Sequence, residues 1–191
     1  MECTGEFASI YREFKPRVLR YLGRLVGEED AADLAQEVML KVNKSFAGFR
    51  GDSSLATWIY RIAANTAHDH RLSSHIRQRK QTLPLGGEDV SIQLIDHTAP
   101  GTDQEYIRRE MTSCIRGVVE QLPENYRAVL LLSEFEEFSN AEIAQILDLS
   151  IDTVKIRLHR GRTHLRRSLT CQCDLYRDEN NELACDRKAD K

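Results

Sequence analysis

Apolar residues recur along this chain in steps of three and four, the spacing that puts side chains on one face of an α-helix. Phe7, Ile10, Tyr11, Phe14, Val18, Tyr21, Leu22 and Leu25 form a first stripe. After the acidic turn EEDAAD, Leu34, Val38, Val42 and Phe46 form a second. Leu55, Trp58, Ile59, Ile62 and Thr66 form a third behind the loop FRGDSS, where Ser53 or Ser54 is placed to cap the helix start. Such stripes predict helices that bury one face in a common core. Around residue 73 the periodicity fails, and Pro84, Gly86, Gly87, Pro100 and Gly101 punctuate the next segment. An aperiodic stretch of about 30 residues is long for a loop within a compact domain and reads as a linker. Helical spacing resumes at Ile107, Met111, Cys114, Ile115, Val118 and Leu122, and Pro123 ends that helix. The expectation is an all-α chain of two small helical domains, residues 1–75 and 106–170, joined by a flexible linker over 76–105 and followed by a tail, 171–191.

The second domain carries a more specific pattern. Ser139-x-x-Glu142 is a capping box that starts a short helix, with Ile143, Ile146 and Leu147 apolar and Ala144 small enough for close helix approach. Asp148 and Leu149 turn the chain, Ser150 caps a second helix, and Asp152 sits in its first turn, where the helix dipole favours an anion. Two helices joined by so short a turn predict a helix-turn-helix, whose second helix enters the DNA major groove. On that helix Val154, Leu158, Gly161, Leu165 and Leu169 share an inward face. Lys155, Arg157, Arg160, Arg162, Arg166 and Arg167 follow Asp152 with no further acid among them. Solvated helix faces normally mix signs, so this one points to a polyanion. The duplex-DNA contacts expected of it are Thr153, Lys155, Ile156, Arg157, His159 and Arg160. Ile156 on an exposed face suits a thymine methyl.

Composition sharpens this. The 191 residues hold 27 basic and 30 acidic side chains, a formal charge of −3, so a basic segment in an acidic protein is a local device. The rest of the surface suits protein partners. No apolar run approaches the roughly 20 residues of a membrane helix, and the N-terminus lacks a signal-peptide pattern. A cytoplasmic protein with no membrane insertion is expected, and its five cysteines then read as reduced thiols or metal ligands. No phosphate-binding glycine loop, HExxH or nucleophile–base pair is present, which argues against an enzyme. His68-Asp69-His70 is no ligand cluster, because i and i+2 do not share a helix face. Arg50-Gly51-Asp52 is a loop coincidence.

The segments DLAQEVMLKV, FAGFRGDSSLATWIYRIAANTAHDH and LPENYRAVLLL…EFSNAEIAQILDLSIDTVKIRLHRGRTHLRR, in that order over roughly residues 6 to 170, resemble a bacterial RNA polymerase sigma factor of the extracytoplasmic-function group. The resemblance implies a factor that binds core RNA polymerase and promoter DNA, directs transcription initiation and performs no catalysis. It implies that Asp33, Gln36 and Glu37 dock on the polymerase clamp. It further implies that Trp58, Tyr60, Arg61 and Asn65 open the −10 element and hold its non-template strand, and that the loop Ala47–Ser54 captures an extruded base. Aromatic stacking and cationic grooves suit single strands, although Trp58 also belongs to the apolar stripe. Ile156 and Gly161 depart from the family, where a small polar residue and alanine are common. No cofactor is required. The tail lies outside the two-domain pattern, and its Cys171, Cys173 and Cys185 resemble the cysteine-rich tails by which some of these factors sense metals. Zn(II) or Cu(I) is the ion such thiols would take, with His164, Asp174 or another cysteine completing the set. An anti-sigma factor is a further expected partner, unless the tail replaces it. The rival readings are a two-component or quorum-type helix-turn-helix regulator, and a metal or thiol sensor acting through the tail.

Overall fold

The computed structural model describes residues 3–81, 114–177 and 183–188. The first bundle consists of α1 (Cys3–Val26), α2 (Glu28–Ser45) and α3 (Leu55–Gln81). Gly27, at φ 107°, makes the break between α1 and α2, a conformation that glycine adopts without a Cβ clash. Three acids, Glu28, Glu29 and Asp30, then occupy the first turn of α2, where they favour the dipole. Ser54 is the observed cap of α3: its Oγ accepts from the Thr57 amide at 3.1 Å. Phe14, Val18, Tyr21, Leu22, Leu34, Val38, Val42 and Ile59 are buried in the core, as their spacing predicts. The helix α3 runs on through Gln81, past the break expected near residue 73. Its last turns are rich in arginine, glutamine and lysine, good helix formers that need no apolar stripe to stay helical. Residues 82–113, which hold most of the expected linker over 76–105 and the start of the second domain, lie outside the described residues.

The second bundle holds α4 (residues 114–120), α5 (Glu124–Leu130), a π-helical turn (Leu131–Phe135), α6 (Asn140–Leu147) and α7 (Ile151–Gln172). Its core is Val118, Leu122, Val129, Leu130, Leu132, Ile143, Ile146, Val154 and Leu158. Beyond the two helical bundles, the tail adds an antiparallel hairpin of β1 (Cys173–Arg177) and β2 (Leu183–Arg187), pairing Cys173 with Arg187 and Leu175 with Cys185. Helical periodicity could not show this hairpin.

The bundles are packed on one another rather than held apart on a tether. The helix α3 lies against α6, and the buried apolar residues form one continuous cluster through both bundles. The reason is a second buried face on α3. Tyr60, Ala63, Ala64 and Ala67 are buried besides the Ile59 stripe, and small residues let another helix approach closely. Tyr60 is inserted between Tyr21, at 5.3 Å between ring centroids, and Phe138 of the second bundle, at 4.9 Å edge to face. Polar contacts frame that seam: Arg127 donates to the Leu25 carbonyl at 3.1 Å, and Arg71 pairs with Glu124 at 3.2 Å. Arg116 pairs with Glu28 at 3.0 Å.

Candidate nucleic-acid interface

The helix-turn-helix is built as its sequence dictates. Ser139 Oγ accepts from the Glu142 amide at 3.3 Å while Glu142 accepts from the Ser139 amide at 2.9 Å, closing the capping box. The Ser139 hydroxyl also donates to the Glu142 carboxylate at 2.7 Å, and this bond, followed by the one from the Ser139 amide, holds the Glu142 carboxyl below its ordinary value by favouring the ionised form. Asp148 ends α6 in the left-handed region at φ 53°, and its backbone amide bonds back to the Ala144 carbonyl. Ser150 then caps α7, accepting from the Thr153 amide at 3.2 Å.

On α7, Val154 and Leu158 are buried, and Leu165 packs partly against the core. Gly161 faces α5 so closely that a Cβ there would lie 2.9 Å from Leu130 Cδ1 and 3.3 Å from Tyr126 Cβ. The departure from alanine at this position therefore has a steric reason. Lys155, Ile156, His159 and Arg160 are exposed along the opposite face, with Ile156 at 52%. Thr153 and Arg157 are half-buried beside them. Arg157 lines a cleft between the bundles shared with Asn65 and His68. Not every cation of the run faces outward alone: Arg162 grips Glu134 of the π-helical turn through Nε at 3.1 Å and Nη2 at 2.6 Å. Both bonds end on one carboxylate oxygen, and the exposed pair tethers α7 to the turn only weakly. Arg166 and Arg167 remain exposed further along.

The first-bundle residues are divided by the packing. Trp58 is half-buried against Phe49, with ring centroids 5.1 Å apart, and Arg61 is exposed. Both line an open cleft of about 610 Å³, together with Gly48, Arg50, Asp52 and Ser53 on one side and Gln145, Asp148 and Ile151 on the other. The loop of residues 47–54 and the turn of the helix-turn-helix thus face one another. Asn65 is exposed. Tyr60, expected to meet the −10 strand, is instead fully buried, and its hydroxyl donates to the Glu136 carboxylate, which Arg17 also approaches at 3.7 Å. Burial, and after it the bond and charge of Glu136, push the Tyr60 phenol above its ordinary value. The apolar stripe included neighbouring positions but not Tyr60, because its partners belong to the other bundle.

Asp33, Gln36 and Glu37 are exposed on one face of α2. Leu40 continues that face at 53% exposure, an apolar residue that sequence reasoning missed although the i+3, i+4 spacing includes it. Lys41 bridges Glu37 at 2.8 Å and donates to Thr66 Oγ1 at 3.0 Å, tying this face to α3. His68 and His70 diverge as expected, His70 Nε2 lying 3.0 Å from Asp30.

Of the three tail thiols expected to bind a metal, the structure describes the side chains of Cys171 and Cys173. Cys171 is exposed on the last turn of α7, whereas Cys173 is buried. The side chain of Cys185 lies outside the described residues, and among the described residues no group of three His, Cys, Asp or Glu side chains could hold a metal ion. Cys173 instead meets Cys114 of α4, sulfur to sulfur at 3.0 Å. The apolar spacing around Cys114 predicts only an ordinary core residue.

Comparison with known proteins accounts for this arrangement of parts. The sigma-70 region 2 family model matches residues 10–80, and the sigma-70 region 4 model matches residues 112–165. The RNA polymerase sigma-H factor of Pseudomonas aeruginosa is 31% identical over 83% of this chain and 86% of its own length. The ECF RNA polymerase sigma factor SigW of Bacillus subtilis is 30% identical over 85% of this chain and 88% of its own. The sigma factor RpoE of Bartonella quintana, solved in complex with the anti-sigma factor NepR, shares the fold at a TM-score of 0.68 and 20% identity, covering 86% of this chain and 97% of that one. With a matching segment in each bundle and relatives aligned across both, the chain belongs to the extracytoplasmic-function group of sigma-70 factors and is a promoter-directing factor of transcription initiation.

Proposed function

We propose a division of labour in which α7 reads −35 duplex through Thr153, Lys155, Ile156, Arg157, His159 and Arg160. The first bundle then holds the −10 strand through Trp58, Tyr60, Arg61 and Asn65. Asp33, Gln36, Glu37 and Leu40 form the face that docks on core RNA polymerase. The observation that carries this reading is the outer face of α7, cationic and apolar, presented by the second helix of a helix-turn-helix whose caps are intact. Phosphate contacts from such a face position the helix, and base-edge contacts specify the sequence. The chain performs no catalysis of its own and works in the cytoplasm, beside the polymerase that it serves.

The packed arrangement is the polymerase-free form of the factor. Tyr60 reaches a nucleic-acid base only when the second bundle swings away from α3, because Phe138 and Glu136 cover it. An anti-sigma protein seated in the cleft between the bundles is the partner that would hold this form. Charge reversal of Asp33 and Glu37 to lysine tests the docking face: co-purification with core polymerase should be lost while the helical circular-dichroism signal is kept. Normal holoenzyme assembly by the double variant removes these residues from the docking face.

A further inference from the structure

We propose that Cys114 and Cys173 are a reversible thiol–disulfide pair that fastens the tail hairpin to the DNA-reading bundle. The two sulfurs lie 3.0 Å apart although 59 positions separate them in sequence. A disulfide would bring the two sulfurs from this separation to about 2.05 Å. The separation is that of two groups that need only a small side-chain rotation to bond.

Contacts independent of sulfur place Cys173 there. The strands β1 and β2 pair along five positions, and Lys188 donates to the Thr170 carbonyl at the end of α7 at 2.8 Å while bridging Asp174 at 3.1 Å. Those groups are exposed, so they hold the hairpin weakly. A covalent link between Cys114 and Cys173 would hold it firmly, joining α4 to the end of α7 and leaving the outer face of α7 cationic. Intracellular disulfides are usually transient and redox-sensing, which fits a link made only under oxidation.

The chemistry balances with a hydroperoxide as oxidant. Cys114, half-buried, is the sulfur that the oxidant can reach, whereas Cys173 is 2% exposed. The Cys114 thiolate attacks the O–O bond, giving a sulfenic acid and releasing water or an alcohol. The Cys173 thiol then displaces the sulfenic oxygen, which leaves as water while the S–S bond forms. The pair gives up two electrons and two protons, and the peroxide takes them. A dithiol reductant reverses the link by exchange.

The test uses the full chain, purified with a reductant that is then removed, and treated with hydrogen peroxide. Non-reducing peptide mapping should show the peptides containing Cys114 and Cys173 joined, with an intact-mass loss of about 2 Da that dithiothreitol restores. Cys171→Ser should leave the link intact, and Cys173→Ser should abolish it. The mapping needs no variant, so a misfolded mutant does not obscure it. A link from Cys173 to Cys171 or Cys185, or oxidation of Cys171 alone, overturns the proposal. So does stoichiometric Zn(II), supplied as the metal alone, that shields Cys114 and Cys173 from alkylation.

Discussion

Replacing Glu136 with alanine should release the second bundle from the first without unfolding either. The Glu136 side chain is 5% exposed, accepts the Tyr60 hydroxyl and pairs with Arg17, which is 34% exposed. Its removal leaves the Tyr60 hydroxyl a buried donor without a partner, at about 1–3 kcal/mol. The Arg17 pair is partly solvated and 3.7 Å long, so it adds at most about 0.5 kcal/mol. Both losses fall on the packed form alone, because opening returns Tyr60 and Arg17 to water. The equilibrium should therefore shift toward the open form by roughly 5- to 370-fold. Small-angle scattering should report a larger radius of gyration for Glu136→Ala. Affinity for a single-stranded −10 oligonucleotide should rise in proportion to the competent fraction. Tyr60→Phe, which leaves the buried Glu136 carboxylate short of a donor, should open the chain as well. An unchanged radius of gyration together with a lower melting temperature would refute the reasoning, because it would place Tyr60 in the core of one indivisible unit.

Other perturbations probe the parts separately. Gly161→Ala gains about 1 kcal/mol of helix propensity but drives a methyl into Leu130 at about 1–3 kcal/mol, so urea titration should show a net loss near 1 kcal/mol. Ser139→Ala should lower stability by about 1 kcal/mol at pH 7. The Glu142 carboxyl is held below its unfolded value, so its contribution is present above that value and lost as pH falls through the folded one. The difference between wild type and Ser139→Ala should therefore shrink in acid. Leu40→Asp should weaken core-polymerase binding while leaving the melting temperature within about 1 °C, since the side chain is exposed.

How far the sequence is legible depends on the range of the forces involved. The capping box at Ser139 and Glu142, the cap at Ser150 and the inward face of α7 are local, set by residues three and four apart, and all three stand as expected. The position of Tyr60 is not legible, because its burial depends on Phe138 and Glu136, more than seventy residues away. The same holds for Cys114, whose apolar-stripe position conceals a sulfur partner 59 residues along the chain. By helix propensity alone Gly161 is a destabilising departure, and only the approach of α5 shows what a side chain there would strike. The hairpin of residues 173–187 obeys period-two pairing, which a search for helical spacing does not register.

The central claim is that the outer face of α7 selects promoters for core RNA polymerase, and run-off transcription tests it most directly. Core polymerase with the wild-type chain, on a genomic fragment library, should give discrete transcripts that polymerase alone does not give. Arg160→Ala should lower their yield by roughly 5- to 150-fold and relax preference at one base pair of the −35 element, as expected for loss of a base-edge contact. Arg167→Ala should weaken all templates about equally and flatten the salt dependence. Transcripts unchanged in yield and choice in both variants, or identical with and without the chain, would contradict the account.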